Sequence, residues 1–158
     1  MTNPFPFVAG ATLNASDLNA IGESESWTPT FTNLTVGNGS LTAQAVRVND
    51  LYVANFRLAF GSTTSMGTDP RVQLPLAAAT TSRYLSVGSI FHFFDASTGI
   101  EYQGYGRIYD SDQVRIRYSR QSTASAAGIF ANSLQSTLPF TWTTSDELYG
   151  VIVYPVGT

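Results

Sequence analysis

From residue 27 onward, apolar and polar positions alternate in short runs, the period-2 signature of strands with one buried face. The clearest run is 51–60, where Tyr52, Ala54, Phe56, Leu58 and Phe60 alternate with Asn55 and Arg57. RVQLPL repeats the pattern, with Val72, Leu74 and Leu76 expected inward. The stretches 84–95 (YLSVGSIFHFFD), 100–110 (IEYQGYGRIYD) and 114–120 (VRIRYSR) read as a three-strand meander, turned at Ala96–Gly99 and Asp110–Asp112. Gly37-Asn38-Gly39 and Asn49-Asp50 supply hairpin turns, because glycine and asparagine accept the positive φ that twisted hairpins require. WTPTFTNLTV is interrupted by Pro29 and predicts an edge strand or a lead-in segment. Residues 61–69 read as a polar loop of the kind that carries contacts, 121–128 as a surface loop, 129–140 is ambiguous, and 148–156 closes the chain as a strand. About eight or nine short strands predict an all-β fold, a jelly-roll-like antiparallel β-sandwich.

The first 22 residues have a different texture. Pro4 and Pro6 hold the chain extended and leave Phe5 and Phe7 projecting from an arm. Asn14 then caps a short helix, with Asp17 at its positive end, Leu13 and Leu18 placed as a hydrophobic staple, and Gly22 closing the far end. About two helical turns cannot persist alone in water. This segment is therefore expected to dock through Phe5, Phe7, Leu13, Leu18 and Ile21, either on its own domain, on a sister subunit or on a different protein. Glu23 to Ser26 reads as a polar connector, which divides the chain into an anchor (1–26) and a β-sandwich domain (27–158).

Composition narrows the function. At 158 residues, 43% of them apolar, the chain suits a core of respectable size. Only 12% of residues are charged, about half the usual share, and such uncharged surface is suited to contact. All eight basic residues are arginine. A net charge of −3 argues against sequence-independent nucleic-acid binding, which requires clustered cations. With no cysteine there is no disulfide, thiolate metal site or thiol nucleophile. The opening residues lack the basic and apolar regions of a signal peptide, and no run approaches a membrane span.

Candidate chemistry is sparse. The one histidine, His92, lies between Phe91 and Phe93 and is expected to be structural, since one histidine without cysteine does not complete a zinc set. Asp110 and Asp112 fit turn capping better than a calcium loop, which would need further oxygen ligands and a glycine. Glu101 with Asp146 or Glu147 offers the two acids of a glycosidase, but any chain with eleven acids offers such pairs. No cofactor and no catalytic residue is expected. Contact features are more plentiful: the odd positions of 101–109 carry Glu101, Gln103, Tyr105, Arg107 and Tyr109, and with Arg115 and Arg117 they give either a protein or glycan contact face or an ordinary solvated sheet face with cross-strand tyrosine–arginine packing. Gly104 and Gly106, on the opposite face, leave a shallow groove for a neighbouring chain or a large aromatic.

The opening PFPFVAGATLNASDLNAIG, the WTPTFTNLTVGNGSLTAQAVRVND stretch with its G-N-G and N-D turns, the F-G-S-T-T-S run and the LPFTWTTSDELYGVIVYPV ending carry a likeness. Together they resemble small virion proteins of tailed bacteriophages, of the minor-tail, tail-fibre or capsid-decoration kind. The resemblance implies a homotrimeric, non-enzymatic structural protein on the virion, made without a signal peptide. Its N-terminal segment would join other virion proteins of the tail or capsid, and its β-sandwich would face outward to a host-surface glycan or protein. Capsid decoration is the alternative within that class; a carbohydrate-binding or glycan-cleaving module is the alternative outside it.

Overall fold

A computed structural model describes residues 24–48, 50–79, 88–121 and 129–156. The arm and helix expected before residue 23, the first part of the 84–95 run and the 121–128 loop lie essentially outside these residues. Ten strands occur among them: β1 (Ser24–Glu25), β2 (Phe31–Thr35), β3 (Ser40–Val48), β4 (Leu51–Ala59), β5 (Ser65–Gln73), β6 (Gly88–Asp95), β7 (Ile100–Ile108), β8 (Gln113–Gln121), β9 (Ile129–Ser133) and β10 (Glu147–Pro155). They form one continuous antiparallel sheet in the order β1-β3-β4-β10-β6-β7-β8-β5-β2, with β9 continuing the β5 side of β8. The fold is all-β and sandwich-like. Its layers are one sheet curled on itself, so that β2, at one end of the order, brings Phe31 to 5.4 Å from Phe56 of β4 near the other. The expected meander is present as β6-β7-β8.

The curl is possible because inward residues alternate in size across the strands. Ala43, Phe56, Gly150, Phe91, Gly104 and Tyr118 stand opposite one another in sequence across β3, β4, β10, β6, β7 and β8. Each large ring lies over a neighbour with little or no side chain. A Cβ on Gly150 would fall 2.5 Å from Phe56 Cε1 and 2.6 Å from Phe91 Cε1. The groove expected at Gly104 and Gly106 is thus filled from within, by Phe93 and Phe91 of the same chain. Tyr102 and Tyr118 also turn to this inner side, where Tyr118 is buried.

The loop 134–146 closes one end of the core with aromatic rings. Trp142 stacks on Phe60 at 4.9 Å and meets Phe140 at 4.5 Å, and Phe140 stacks on Tyr102 at 5.3 Å. The buried Asp146 fastens this loop: its carboxylate accepts hydrogen bonds from Thr143 N (2.5 Å) and Ala96 N (2.9 Å).

Three expectations need correction. Leu76 is 41% exposed rather than inward. β5 ends at Gln73, Pro75 breaks the alternation, and the backbone N–H and carbonyl of Leu76 instead bond the Tyr154 hydroxyl at 3.2 and 3.0 Å. Burial pushes that hydroxyl up to about 12. Ser24 and Glu25, read as connector, form β1 against Ala45 and Val46. The buried Tyr52 hydroxyl explains this, because it donates to the Glu25 carboxylate and so ties the strand down. The polar stretch 61–69 is not a contact loop. Residues 65–69 belong to β5, and Ser62 and Thr63 clasp the G-N-G turn: Thr63 N donates to Asn38 Oδ1 (2.9 Å), Asn38 N donates to Thr63 Oγ1 (2.8 Å) and Asn38 Nδ2 donates to Ser62 Oγ (3.0 Å). The G-N-G and F-G-S-T-T-S motifs therefore meet as a structural clasp between the hairpin and the β4–β5 connection.

Candidate functional site

The face of β7 and β8 that points away from the core follows from strand parity. With Ile108, Val114 and Ile116 buried, Arg107, Tyr109, Arg115 and Arg117 must point outward. Cross-strand register then puts Arg107 opposite Arg115 and Tyr105 opposite Arg117. All five residues expected to form the contact face are brought together. β5 pairs with the other edge of β8 and adds Arg71 directly opposite Arg115. Three arginines thus stand side by side across three strands, with Arg117 next to them. Like charges in directly opposed positions repel.

One carboxylate among the described residues answers them. Asp69 Oδ2 lies 3.0 Å from Arg115 Nε and 3.8 Å from Arg71 Nη2, and Asp69 Oδ1 lies 3.9 Å from Arg117 Nη1. Asp69 adopts φ +60° within β5, and the β2–β5 pairing shifts register between Thr32 and Leu34, at Asn33 with φ +59°. Aspartate and asparagine tolerate this left-handed region best among residues with a Cβ. The bulge re-aims the carboxylate, whose Oδ1 also accepts from Ser133 Oγ at 3.0 Å, while Asp69 N donates to Leu134 O at 3.0 Å. β9 completes the fixing: Arg117 donates to Ser133 Oγ and to Ala131 O, both at 3.1 Å.

Tyr109 packs against two cations, with the Arg71 guanidinium 3.6 Å and that of Arg115 4.7 Å from its ring centre. Such contacts are worth about 0.5–2 kcal/mol each, more as water is excluded. The side chains of Arg71, Arg115 and Arg117 are 19%, 28% and 17% exposed, so their charge is only partly screened. The Nε atoms of all three are buried without a hydrogen bond; that of Arg115 is close to Asp69 but poorly aligned with it. Arg107 makes no ion pair or hydrogen bond among the described residues and borders a small cleft with Ile108, Tyr109 and Arg115. Asp110 and Asp112, at the turn beyond, bond within the turn and to Gln73. Asp110 beside Asp112 raises the latter's carboxyl above the usual range. The result is half of the chain's eight arginines close together on one face, with a single acid ion-paired to them among the described residues, a local excess of positive charge in a molecule of net charge −3. Planar guanidinium forks in that arrangement can bind an anion bidentately.

Asp69→Asn tests this account, since asparagine keeps the backbone conformation and removes the charge. The variant is expected to lose about 2 kcal/mol of stability, because the three partly buried arginines lose their shared countercharge. Urea denaturation should show a lower midpoint with an unchanged slope. Unchanged stability would mean that the arginines do not depend on Asp69.

A second feature lies on the outer face of β10, β6 and β7. His92, Phe94, Glu101, Glu147 and Tyr149 line a 560 Å³ groove. His92 Nδ1 is 2.8 Å from Glu101 Oε1, and Glu147 is held by Arg57 through Nη2 at 2.5 Å and Nε at 3.1 Å. Glu101 and Glu147 share the groove, whereas Asp146 is buried as the loop fastener described above. His92 is therefore hydrogen-bonded on an open sheet face.

Asp69 and Arg71 escaped the sequence reading. Arg71 alternates with Val72, so its outward direction was available; its partnership with Arg115 depends on a pairing between strands 40 or more residues apart that leaves no local signal. The anchor residues Phe5, Phe7, Leu13, Leu18 and Ile21 lie outside the described residues. No protein-family model, no curated protein and no solved structure matches this chain.

Proposed function

We propose that this chain is a non-enzymatic structural protein on the surface of a tailed-phage particle. In this reading it is a trimeric protein of minor-tail or fibre type, anchored by residues 1–22 and presenting the outer face of β5, β7 and β8 for host contact. The observation that supports it is the arginine–tyrosine face itself. It is rigid, built from paired strands, and rich in the residue types that dominate contact energetics. The resemblance of the N-terminal and clasp motifs to virion proteins supplies the setting.

Immunogold labelling of intact particles with an antibody raised against the full chain is expected to mark the outside of the tail; unlabelled particles would overturn the reading. Light scattering after size exclusion should give a trimer, and a monomer at micromolar concentration would count against it. Deleting residues 1–22 should leave the sheet folded, with the circular dichroism of the full chain, and abolish incorporation into particles. Retained incorporation would place the anchor elsewhere.

A further inference from the structure

We infer that the face formed by Arg71, Arg107, Arg115, Arg117, Tyr105 and Tyr109 binds a carboxylated sugar residue of a polysaccharide, an assignment that rests on reading this face as the outer contact surface. Arg107, Arg115 and Arg71 are directly opposed across three strands, Arg117 adjoins them, and one aspartate is shared among them. Mutual repulsion there opposes folding, and a bound anion relieves it. Arg107 supplies donors that the described chain does not use, at the rim of the cleft it shares with Tyr109 and Arg115.

Four guanidiniums placed close together can meet one or two anionic groups, whereas a long polyphosphate strand needs cations along its whole length. An extended peptide that adds to a sheet edge finds none at β8, because β8 is paired with β7 along one side and with β5 and β9 along the other. Recognition must therefore come from side chains. Tyr109, 44% exposed and fixed by Arg71 and Arg115, offers an aromatic surface beside the guanidiniums, as does Tyr105 opposite Arg117. A pyranose carrying a carboxylate matches both: its C–H face packs on a ring while the carboxylate takes two parallel N–H bonds from an arginine.

Calorimetric titration of the full chain with trigalacturonate tests the assignment, with maltotriose as the neutral sugar, sodium sulfate as the inorganic anion and hexathymidylate as the phosphate strand, all at one ionic strength. Trigalacturonate is expected to bind, and maltotriose not to. Arg107→Gln and Arg115→Gln should each weaken trigalacturonate at least about tenfold, the loss expected when a charged hydrogen bond is removed. Arg57→Gln, equal in charge change but located on β4, should bind as the parent does. Because Arg107 is unpaired among the described residues and stands opposite Arg115, its variant should melt no lower than the parent, which separates lost binding from lost folding. The assignment is overturned if trigalacturonate does not bind, if Arg107→Gln and Arg115→Gln bind it as the parent does, or if sulfate or hexathymidylate binds as tightly. Labelled particles without trigalacturonate binding would remove this ligand and leave the particle reading standing; binding without labelled particles would do the reverse.

Discussion

Replacing Gly104 with alanine is expected to remove more than about 3 kcal/mol of stability, beyond the ordinary range for overpacking, and to leave little folded protein. The reason is which atoms the new methyl group would meet. A Cβ at Gly104 would lie against the Arg117 carbonyl oxygen, and 2.5 Å from Phe93 Cζ. A ring can rotate or shift, but the carbonyl is backbone of β8, held in a sheet paired on both sides. Gly150 is the instructive comparison, since its nearest atoms are all ring carbons of Phe56 and Phe91. Gly150→Ala should therefore be less damaging and partly rescued by Phe91→Leu, whereas Phe93→Leu should not rescue Gly104→Ala. Thermal and urea unfolding of the four variants measure this directly. Equal rescue at both positions would show that side-chain crowding alone governs the site. Because Gly104 presses on the backbone of Arg117, the same substitution should also disturb the arginine face on the other side of the sheet.

Asp146→Ala is expected to lower stability by about 3 kcal/mol, the sum of two stranded backbone donors in a fully buried place. Thr143 N and Ala96 N both donate to this carboxylate, and the Thr143 hydroxyl adds a third bond at 3.2 Å. Without it the loop carrying Phe140 and Trp142 is no longer tied to the β6–β7 turn, and the aromatic lid over Phe60 and Phe93 should loosen. Near-ultraviolet circular dichroism reports on those tryptophan contacts and should weaken well below the thermal midpoint of the parent. An unaltered spectrum would mean that the lid is held by ring packing alone. Acid should act on the same corner. Hydrogen bonds from Ser97 and Thr98 hold the Asp95 carboxyl below its ordinary range. Its contribution is thus present above the usual carboxyl pKa and lost as pH falls through the lowered value.

Much of this architecture could be read locally. Alternation in 51–60 and 100–118 gave the strands and their faces, because the period of two follows from backbone geometry and needs no partner to be visible. Parity alone put Tyr105, Arg107, Tyr109, Arg115 and Arg117 on one side. The G-N-G turn and the turn at Asp110–Asp112 were likewise legible from the φ and capping preferences of their residues. By contrast, the 61–69 stretch looked like a loop because it shows no alternation of apolar residues and carries Gly61, Gly67 and Asp69, residue types of low strand preference. Its second half becomes β5 only through pairing with β2, whose bulge absorbs the irregularity at Asn33.

The sequence by itself determined the all-β character of the chain from residue 27 onward, the inward and outward sides of its main strands, and a set of arginines and tyrosines directed away from the core. Those properties depend on neighbours one or two residues away. Only the tertiary structure decided that Gly104, Gly106 and Gly150 make room for the chain's own phenylalanines, that Asp146 is a fastener while Glu101 and Glu147 share a groove, and that Asp69 and Arg71 belong with Arg115 and Arg117. Each of these depends on which distant strands lie side by side, and that order is set by burying rings of complementary size across the whole curled sheet.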